Sequence, residues 1–139
     1  MIKLFVLPVL FSWILGQSIQ NPVSISAMIS SPVRAGEVVN INIFANMEDA
    51  WRIYSVHKLT EGPLPTEINV NGGVVGATAS VQEPKPKYVF DPGWETDTYR
   101  HEGNTNFIFP IRLKKSIQPG DYPIVVDVYF MVANDRLAY

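Results

Sequence analysis

The fold class of this chain follows from one stretch, Val39-Asn40-Ile41-Asn42-Ile43-Phe44-Ala45. Its odd-numbered positions are apolar, and asparagine occupies positions 40 and 42 between them. A period of two is typical of a β-strand that buries one face and exposes the other. The stretch therefore predicts a central strand of a sheet.

Similar patterns recur on both sides of this stretch. The further predicted strands are Val23–Ile29, Trp51–Val56, Glu67–Val70, Val74–Val81, Asn106–Leu113 and Pro123–Val132. Turn-forming residues separate them, among them Gly36 and the tripeptide Asn71-Gly72-Gly73. The segment from Tyr88 to Asn104 has no clear period, and we predict that it is a long surface loop.

Apolar residues do not recur at helical spacing over three turns beyond residue 18. A series of seven or eight short strands separated by turns predicts an all-β fold. The simplest such fold is an immunoglobulin-like antiparallel β-sandwich, although a closed barrel would give much the same pattern.

The N-terminal residues have the order of a secretory signal. Lys3 precedes the apolar run Leu4–Leu15, and Gly16-Gln17-Ser18 follows it. The run is shorter than the roughly 20 apolar residues that a membrane-spanning helix needs. We predict a signal peptide over residues 1–18, one domain over residues 19–139, and an exported product without a stable membrane span after cleavage. A retained N-terminal anchor is the alternative.

Composition limits the possible functions. The chain has 139 residues, a net charge of -2 and no cysteine. Without a basic stripe, a nucleic-acid partner is not expected. Without cysteine, apolar packing rather than disulfides must hold the exported domain together.

Metal and cofactor motifs are also missing. The two histidines, His57 and His101, do not have the spacing of metal ligands. Carboxylates concentrate in the predicted loop, but not at EF-hand spacing: Asp91, Glu95, Asp97 and Glu102. Ser55 lies close to His57, yet no orienting acid or oxyanion motif accompanies them. The sequence therefore predicts neither a metal, nor a cofactor, nor a catalytic residue.

Several segments together carry a family resemblance. They are Trp51-Arg52-Ile53-Tyr54-Ser55, Gly62-Pro63-Leu64-Pro65-Thr66, Pro84-Lys85-Pro86-Lys87 and the final stretch Val128–Ala138. Their order and spacing resemble the N-terminal periplasmic domain of the thiol:disulfide interchange protein DsbD. The resemblance extends over the chain that follows the predicted signal peptide.

The resemblance implies an immunoglobulin-like sandwich in which two cysteines on adjacent strands pass electrons to periplasmic partners. In this chain Ala133 and Ala138 occupy the two sulfur positions. A methyl group supplies neither the nucleophile nor the leaving group of thiol–disulfide exchange, so the chain is not expected to be an enzyme.

The resemblance also implies a cap over the sulfur positions. The candidate cap is the segment Asp91–Tyr99, with Trp94 or Tyr99 as the shielding ring. Asn134 and Asp135 follow the first sulfur position, and we predict a turn in which Asp135 caps backbone amides and Arg136 is exposed.

These expectations combine into a functional hypothesis. The chain would be a redox-inactive, periplasmic or otherwise exported module that binds another exported or membrane protein, a thioredoxin-like protein being one candidate. The binding surface would comprise Trp94, Tyr99 and the segment Ala133–Ala138. Two alternatives stay open: a substituted or degenerate form of a protein-disulfide reductase domain, and a carbohydrate-binding or adhesive sandwich that stacks sugars on Trp51 and Trp94.

Overall fold

The computed structural model describes residues 1–6 and 21–136, and eleven β-strands and no helix occur within them. Within the same ranges, no helix is long and apolar enough to cross a membrane. The strands are β1 (Ile2–Val6), β2 (Val23–Ile29), β3 (Val38–Met47), β4 (Arg52–Tyr54), β5 (Glu67–Asn71), β6 (Val75–Thr78), β7 (Lys87–Asp91), β8 (Thr96–Glu102), β9 (Asn104–Leu113), β10 (Gly120–Tyr129) and β11 (Val132–Ala133).

The strands form three hydrogen-bonded sheets in the orders β2-β3-β9-β6, β11-β4-β8-β7 and β1-β10-β5. The β1–β10 pair is parallel, and every other pair of named strands is antiparallel. The all-β prediction is confirmed, and the antiparallel sheets are consistent with the predicted sandwich. The immunoglobulin-like assignment stays a prediction.

The largest sheet supplies nearly half of the buried apolar core through β3 and β9. The buried side chains of β3 alternate along the strand as its sequence predicts, at Val39, Ile41, Ile43, Ala45 and Met47. Those of β9 alternate in the same way, at Thr105, Phe107, Phe109, Ile111 and Leu113. Burying a large apolar side chain stabilises a fold by roughly 1.5–3 kcal/mol, so this sheet contributes much of the stability.

One prediction is wrong: residues 88–104 do not form a long surface loop. β7 and β8 pair as an antiparallel hairpin from Lys87 to Glu102, and β9 begins at Asn104. The hairpin could not be recognised in the sequence because the usual pattern is reversed: Tyr88 and Phe90 are exposed, while the polar Thr98 and His101 are buried. Such a strand pair lacks the apolar period that identifies strands in a sequence.

The last predicted strand, Pro123–Val132, is in fact two strands. β10 ends at Tyr129, and β11 begins at Val132 and pairs with β4 in a different sheet. This change of sheet places Ala133 opposite Arg52.

The N-terminus is also part of a sheet. Residues Ile2–Val6, the start of the predicted signal peptide, form β1 beside β10. Residues 7–20 lie outside the described part of the chain. Cleavage of a signal peptide therefore stays a prediction.

Candidate functional site

The candidate site lies on the sheet β11-β4-β8-β7. Arg52 pairs with Ala133 on one side and with Glu102 on the other, while Tyr54 pairs with Arg100. Cross-strand partners in an antiparallel sheet share one face, so these residues belong to a single surface of the sheet. At one end of that surface is a cleft of about 170 Å³.

Three segments that are distant in sequence line this cleft. They are residues Arg52 and Tyr54 of β4, the turn from Asp91 to Trp94, and the segment from Ala133 to Arg136. The turn is tight because Trp94 N donates to Asp91 O at 3.2 Å and Glu95 adopts a φ of 55°. The sheet order and this hairpin turn together bring the segments to one place.

Asp91 is the buried centre of the cleft floor, with 0% of its surface exposed. Its Oδ2 accepts a hydrogen bond from Tyr54 OH at 2.8 Å and lies 3.2 Å from Arg52 Nη2. Its Oδ1 accepts a hydrogen bond from Gly93 N at 3.0 Å. The carboxylate thus fixes β4 and the hairpin turn relative to each other.

Tyr54 stays protonated in this environment. Burial raises the pKa of its phenol above the ordinary value, and the hydrogen bond to Asp91 raises it further. The phenol is therefore a hydrogen-bond donor to Asp91 and not a base.

Arg52 links the buried floor to the cleft rim. Its side chain is 5% exposed, whereas that of Asp135, its second carboxylate partner, is 87% exposed. Arg52 Nη1 donates to Asp135 Oδ1 at 3.1 Å, and Nη2 donates to Asn134 O at 3.3 Å. Burial alone would lower the pKa of Arg52, but the Tyr54 hydroxyl and the charge of Asp91 outweigh it and raise the pKa. Arg52 is thus a fixed cation that holds residues 134 and 135 in place.

Four of the predicted site residues meet at this cleft. Trp94 is 37% exposed, Ala133 is 1% exposed, and Asn134 and Asp135 complete the lining. The turn after Ala133 differs in detail from the prediction, because Asn134 Oδ1 rather than Asp135 accepts the backbone N–H of Arg136, at 2.8 Å. Asp135 instead pairs with Arg52.

Tyr99, a fifth predicted site residue, lies away from the cleft. The ring of Tyr99 lies 4.5 Å from that of Tyr88 and 4.9 Å from that of His57, measured between centroids. Tyr99 does not line the cleft. Ala138 lies outside the described residues.

A second polar network lies beneath the sheet, around Glu83. His101 Nε2 is 2.8 Å from Glu83 Oε2, Val56 N donates to the same oxygen at 3.1 Å, and Ser55 Oγ donates to Glu83 Oε1. Burial alone would raise the pKa of Glu83, but the hydrogen bonds from His101 and Ser55 outweigh it and lower the pKa.

This network is not a catalytic triad, although it contains serine, histidine and a carboxylate. In a triad the histidine lies between the other two and takes the serine proton. Here Glu83 lies between Ser55 and His101, and Ser55 is 1% exposed. The network joins the segment at Glu83 to β4 and β8, which is a structural role.

The tryptophan pair expected of a sugar-binding surface does not form a joint platform. Trp51 is 8% exposed and belongs to the core, while Trp94 is 37% exposed at the cleft. Among residues 1–6 and 21–136, no group of three or more histidine, aspartate or glutamate side chains could hold a metal ion.

Reasoning from the sequence missed Arg52, Tyr54 and Glu83 as site or network residues. One signal was present, since Arg52 interrupts the otherwise apolar and aromatic Trp51–Tyr54. A charged residue in such a segment is rarely buried unless it is paired. The identity of its partners depends on tertiary contacts and cannot be read from spacing.

Comparison of the chain with protein-family models finds no match, and comparisons with curated proteins and with solved structures find none either. The family resemblance therefore depends on the residues of the chain itself.

Proposed function

We propose that this chain is an exported domain of the DsbD N-terminal type that no longer exchanges thiols and disulfides, and that it binds another exported or membrane protein through the cleft at Trp94. The observation that carries the proposal is the meeting of Trp94, Ala133, Asn134 and Asp135 around one cleft. The resemblance selects the same positions from sequence alone, although they lie in two distant segments.

The cleft has the composition of a protein-binding site. Tryptophan contributes disproportionately to binding energy when a partner covers it, and Trp94 is partly exposed at the rim. The floor is held in place because Asp91 accepts a hydrogen bond from Tyr54 and forms a buried ion pair with Arg52. A rigid surface loses little conformational entropy on binding.

The chemistry of the cleft favours recognition over catalysis. Its lining holds no thiol, and its one phenol donates to a buried carboxylate. Ala133 occupies the position where the family has its first sulfur, and it is 1% exposed beside the Trp94 turn. Docking is the part of the family's activity that needs no sulfur.

Site-specific photo-crosslinking in the native cells tests this proposal. A photoreactive amino acid replaces Trp94 in one variant and Met28 in a matched control. Met28 is 64% exposed on β2, which belongs to a different sheet from the cleft. We expect a discrete crosslinked protein from position 94 and none from position 28. The same products from both positions would contradict the proposal.

Calorimetry with the crosslinked protein, once purified, measures the contribution of the cleft. We expect Trp94→Ala to weaken binding by about 2 kcal/mol or more, as at an interface hot spot. Met28→Ala is the control and should leave the affinity unchanged. Equal effects of the two substitutions would locate the binding surface elsewhere.

The substituted-redox alternative is favoured by one observation, the burial of Ala133 beneath the cleft rim. The double variant Ala133→Cys and Ala138→Cys tests it. A preserved redox hairpin would oxidise to an intramolecular disulfide, because its sulfurs would already have bonding geometry. Mass spectrometry would then show the loss of two hydrogens, whereas two persistent free thiols would count against this alternative.

A further inference from the structure

Strand β1 occupies a slot that is bounded on both sides. On one side it pairs in parallel with β10, from Ile2 opposite Gly120 to Val6 opposite Ile124. On the other side Ile2 N donates to Val33 O at 3.1 Å, and Val33 N donates to Ile2 O at 2.9 Å. The slot therefore has the width of one extended strand.

The slot also selects side chains. Ile2 and Leu4 are 3% and 6% exposed and point into the core, while Lys3 is exposed and Phe5 is 44% exposed. Ile124, on the neighbouring strand, is fully buried. A strand in the slot must therefore carry apolar residues at alternate positions, as β1 does.

The strand that fills this slot belongs to the predicted signal peptide. If residues 1–18 are removed, Val33 and residues Gly120–Ile124 of β10 lose their backbone partners on β1, and the apolar positions of Ile2 and Leu4 are vacated. Unpaired backbone groups and exposed apolar surface at a sheet edge favour pairing with another strand.

We propose that the processed chain accepts an extended strand from a partner protein in this slot. The donor strand lies parallel to β10 between Gly120 and Ile124, and it inserts two apolar side chains spaced two residues apart. This proposal depends on the predicted signal cleavage and is independent of the cleft at Trp94. It gives the processed chain a second binding surface of the strand-addition type.

A second copy of this chain fits the slot less well than a donor strand. Two identical β10 edges related by a two-fold axis would join antiparallel into a continuous sheet, whereas β1 shows parallel geometry. Val33 also lies on the far side of the slot at the position of Ile2, so that the slot there has room for a single strand.

The first step of the test is to determine the N-terminus of the protein from native cells by intact mass and N-terminal sequencing. A chain that keeps residues 2–6 overturns the proposal, because its slot is already filled. A chain that begins after residue 6 has the vacant slot that the proposal requires.

The second step uses the peptide Met-Ile-Lys-Leu-Phe-Val, the sequence of residues 1–6, as the probe. It is titrated into the processed chain, and a matched peptide carries Ile2→Asp and Leu4→Asp. We expect saturable one-to-one binding of the apolar peptide and at least tenfold weaker binding of the control. Equal binding of both peptides, or no saturable binding of either, overturns the proposal.

Hydrogen exchange locates the binding site. We expect the amides within Gly120–Ile124 of β10 that point toward the slot to exchange slowly only when the apolar peptide is present, and Tm to rise with its concentration. Slow exchange of these amides without peptide would overturn the proposal.

The processed chain could also be unfolded in the absence of the peptide. In that case, folding on addition of the peptide supports the proposal, and failure to fold contradicts it.

The peptide experiment also separates this proposal from the proposed function. The affinity of the processed chain for the crosslinked protein, measured by calorimetry, should not change when the peptide fills the slot. A negative result in one experiment therefore contradicts only the proposal that it tests, either the cleft at Trp94 or the slot beside β10.

Discussion

The pair β3–β9 and the sheet β11-β4-β8-β7 differ in how many polar groups they bury. In β3 and β9 the buried residues are apolar apart from Thr105, and they alternate along each strand. The smaller sheet buries Ile53, Val132 and Ala133, but it and its connections also bury a set of polar groups: Arg52, Ser55, Asp91, Thr98 and His101. The pair β3–β9 is stabilised mainly by removing apolar surface from water, whereas the smaller sheet also depends on hydrogen bonds and ion pairs among its buried polar groups.

Because of this difference, we expect substitutions in the two regions to change the free energy of unfolding for different reasons. A truncated apolar side chain loses burial and leaves a cavity, and its neighbours can relax partly into the space. A truncated member of a buried polar cluster leaves the remaining members without partners in a medium that solvates them poorly. The small sheet should therefore be sensitive to charge, and the large sheet to volume.

Asp91→Ala should have the largest effect on the free energy of unfolding. It removes the acceptor of Tyr54 and Gly93 and the buried counterion of Arg52. Breaking a buried ion pair by removing one partner costs about 3–5 kcal/mol. Urea unfolding measures the change, and Asp91→Asn, which keeps an acceptor of similar shape, should cost less. Equal losses for the two variants would show that the charge, which both remove, matters here rather than the shape and the acceptor that asparagine keeps.

Ile43→Val provides the matched test in the large sheet. Ile43 is fully buried in β3, and removing one methylene from such a side chain costs about 0.5–1.5 kcal/mol. The comparison between the sheets would fail if this volume change cost as much as Asp91→Ala.

The Glu83 network predicts a pH dependence with a definite sign. Because folding lowers the pKa of Glu83, its contribution to stability is complete above the unfolded pKa, near 4.5, and is lost as pH falls through the lower folded pKa. Glu83→Gln should reduce this acid sensitivity and cost about 1–3 kcal/mol at neutral pH. Unfolding midpoints recorded from pH 7 to pH 3 test it, and identical acid profiles for the two proteins would refute it.

Asp135→Ala should have a small effect on stability. Its ion pair with Arg52 lies at the cleft rim, where the Asp135 side chain is 87% exposed. Exposed ion pairs typically contribute about 0–1 kcal/mol and are weakened by salt. A loss as large as that from Asp91→Ala would mean that the two carboxylates of Arg52 are equivalent, contrary to their burial.

Glu95→Gly should have the smallest effect, and it should stabilise the protein. Glu95 has a φ of 55° in the β7–β8 turn, a region that glycine adopts more easily than other residues. We expect a gain of up to about 1 kcal/mol, reduced by the entropy that glycine adds to the unfolded chain. The exposed strand residue Asp97 is the control, because Asp97→Gly should destabilise by about 0.5–1 kcal/mol. Changes of the same sign at both positions would contradict the role of the turn.

The sequence predicted the apolar half of this architecture well. The predicted strand Val23–Ile29 matches β2, and Val39–Ala45 lies within β3. The β7–β8 hairpin was predicted as a loop because its buried face is polar, and polar residues carry no period of hydrophobicity. Trp94 and Ala133 were selected through the resemblance, while their buried neighbours Arg52 and Tyr54 were not.

By itself, the sequence determined the all-β class, the apolar faces of β3 and β9, and the absence of cysteine. These properties are local, since they depend on alternation along single strands and on residue type. Tertiary structure alone decided that Arg52 joins Asp91 to Asp135, that Glu83 joins Ser55 to His101, and that β1 lies between β10 and Val33. The physical reason is that a buried polar group requires a partner of complementary charge in space, and spacing along the chain does not specify that partner.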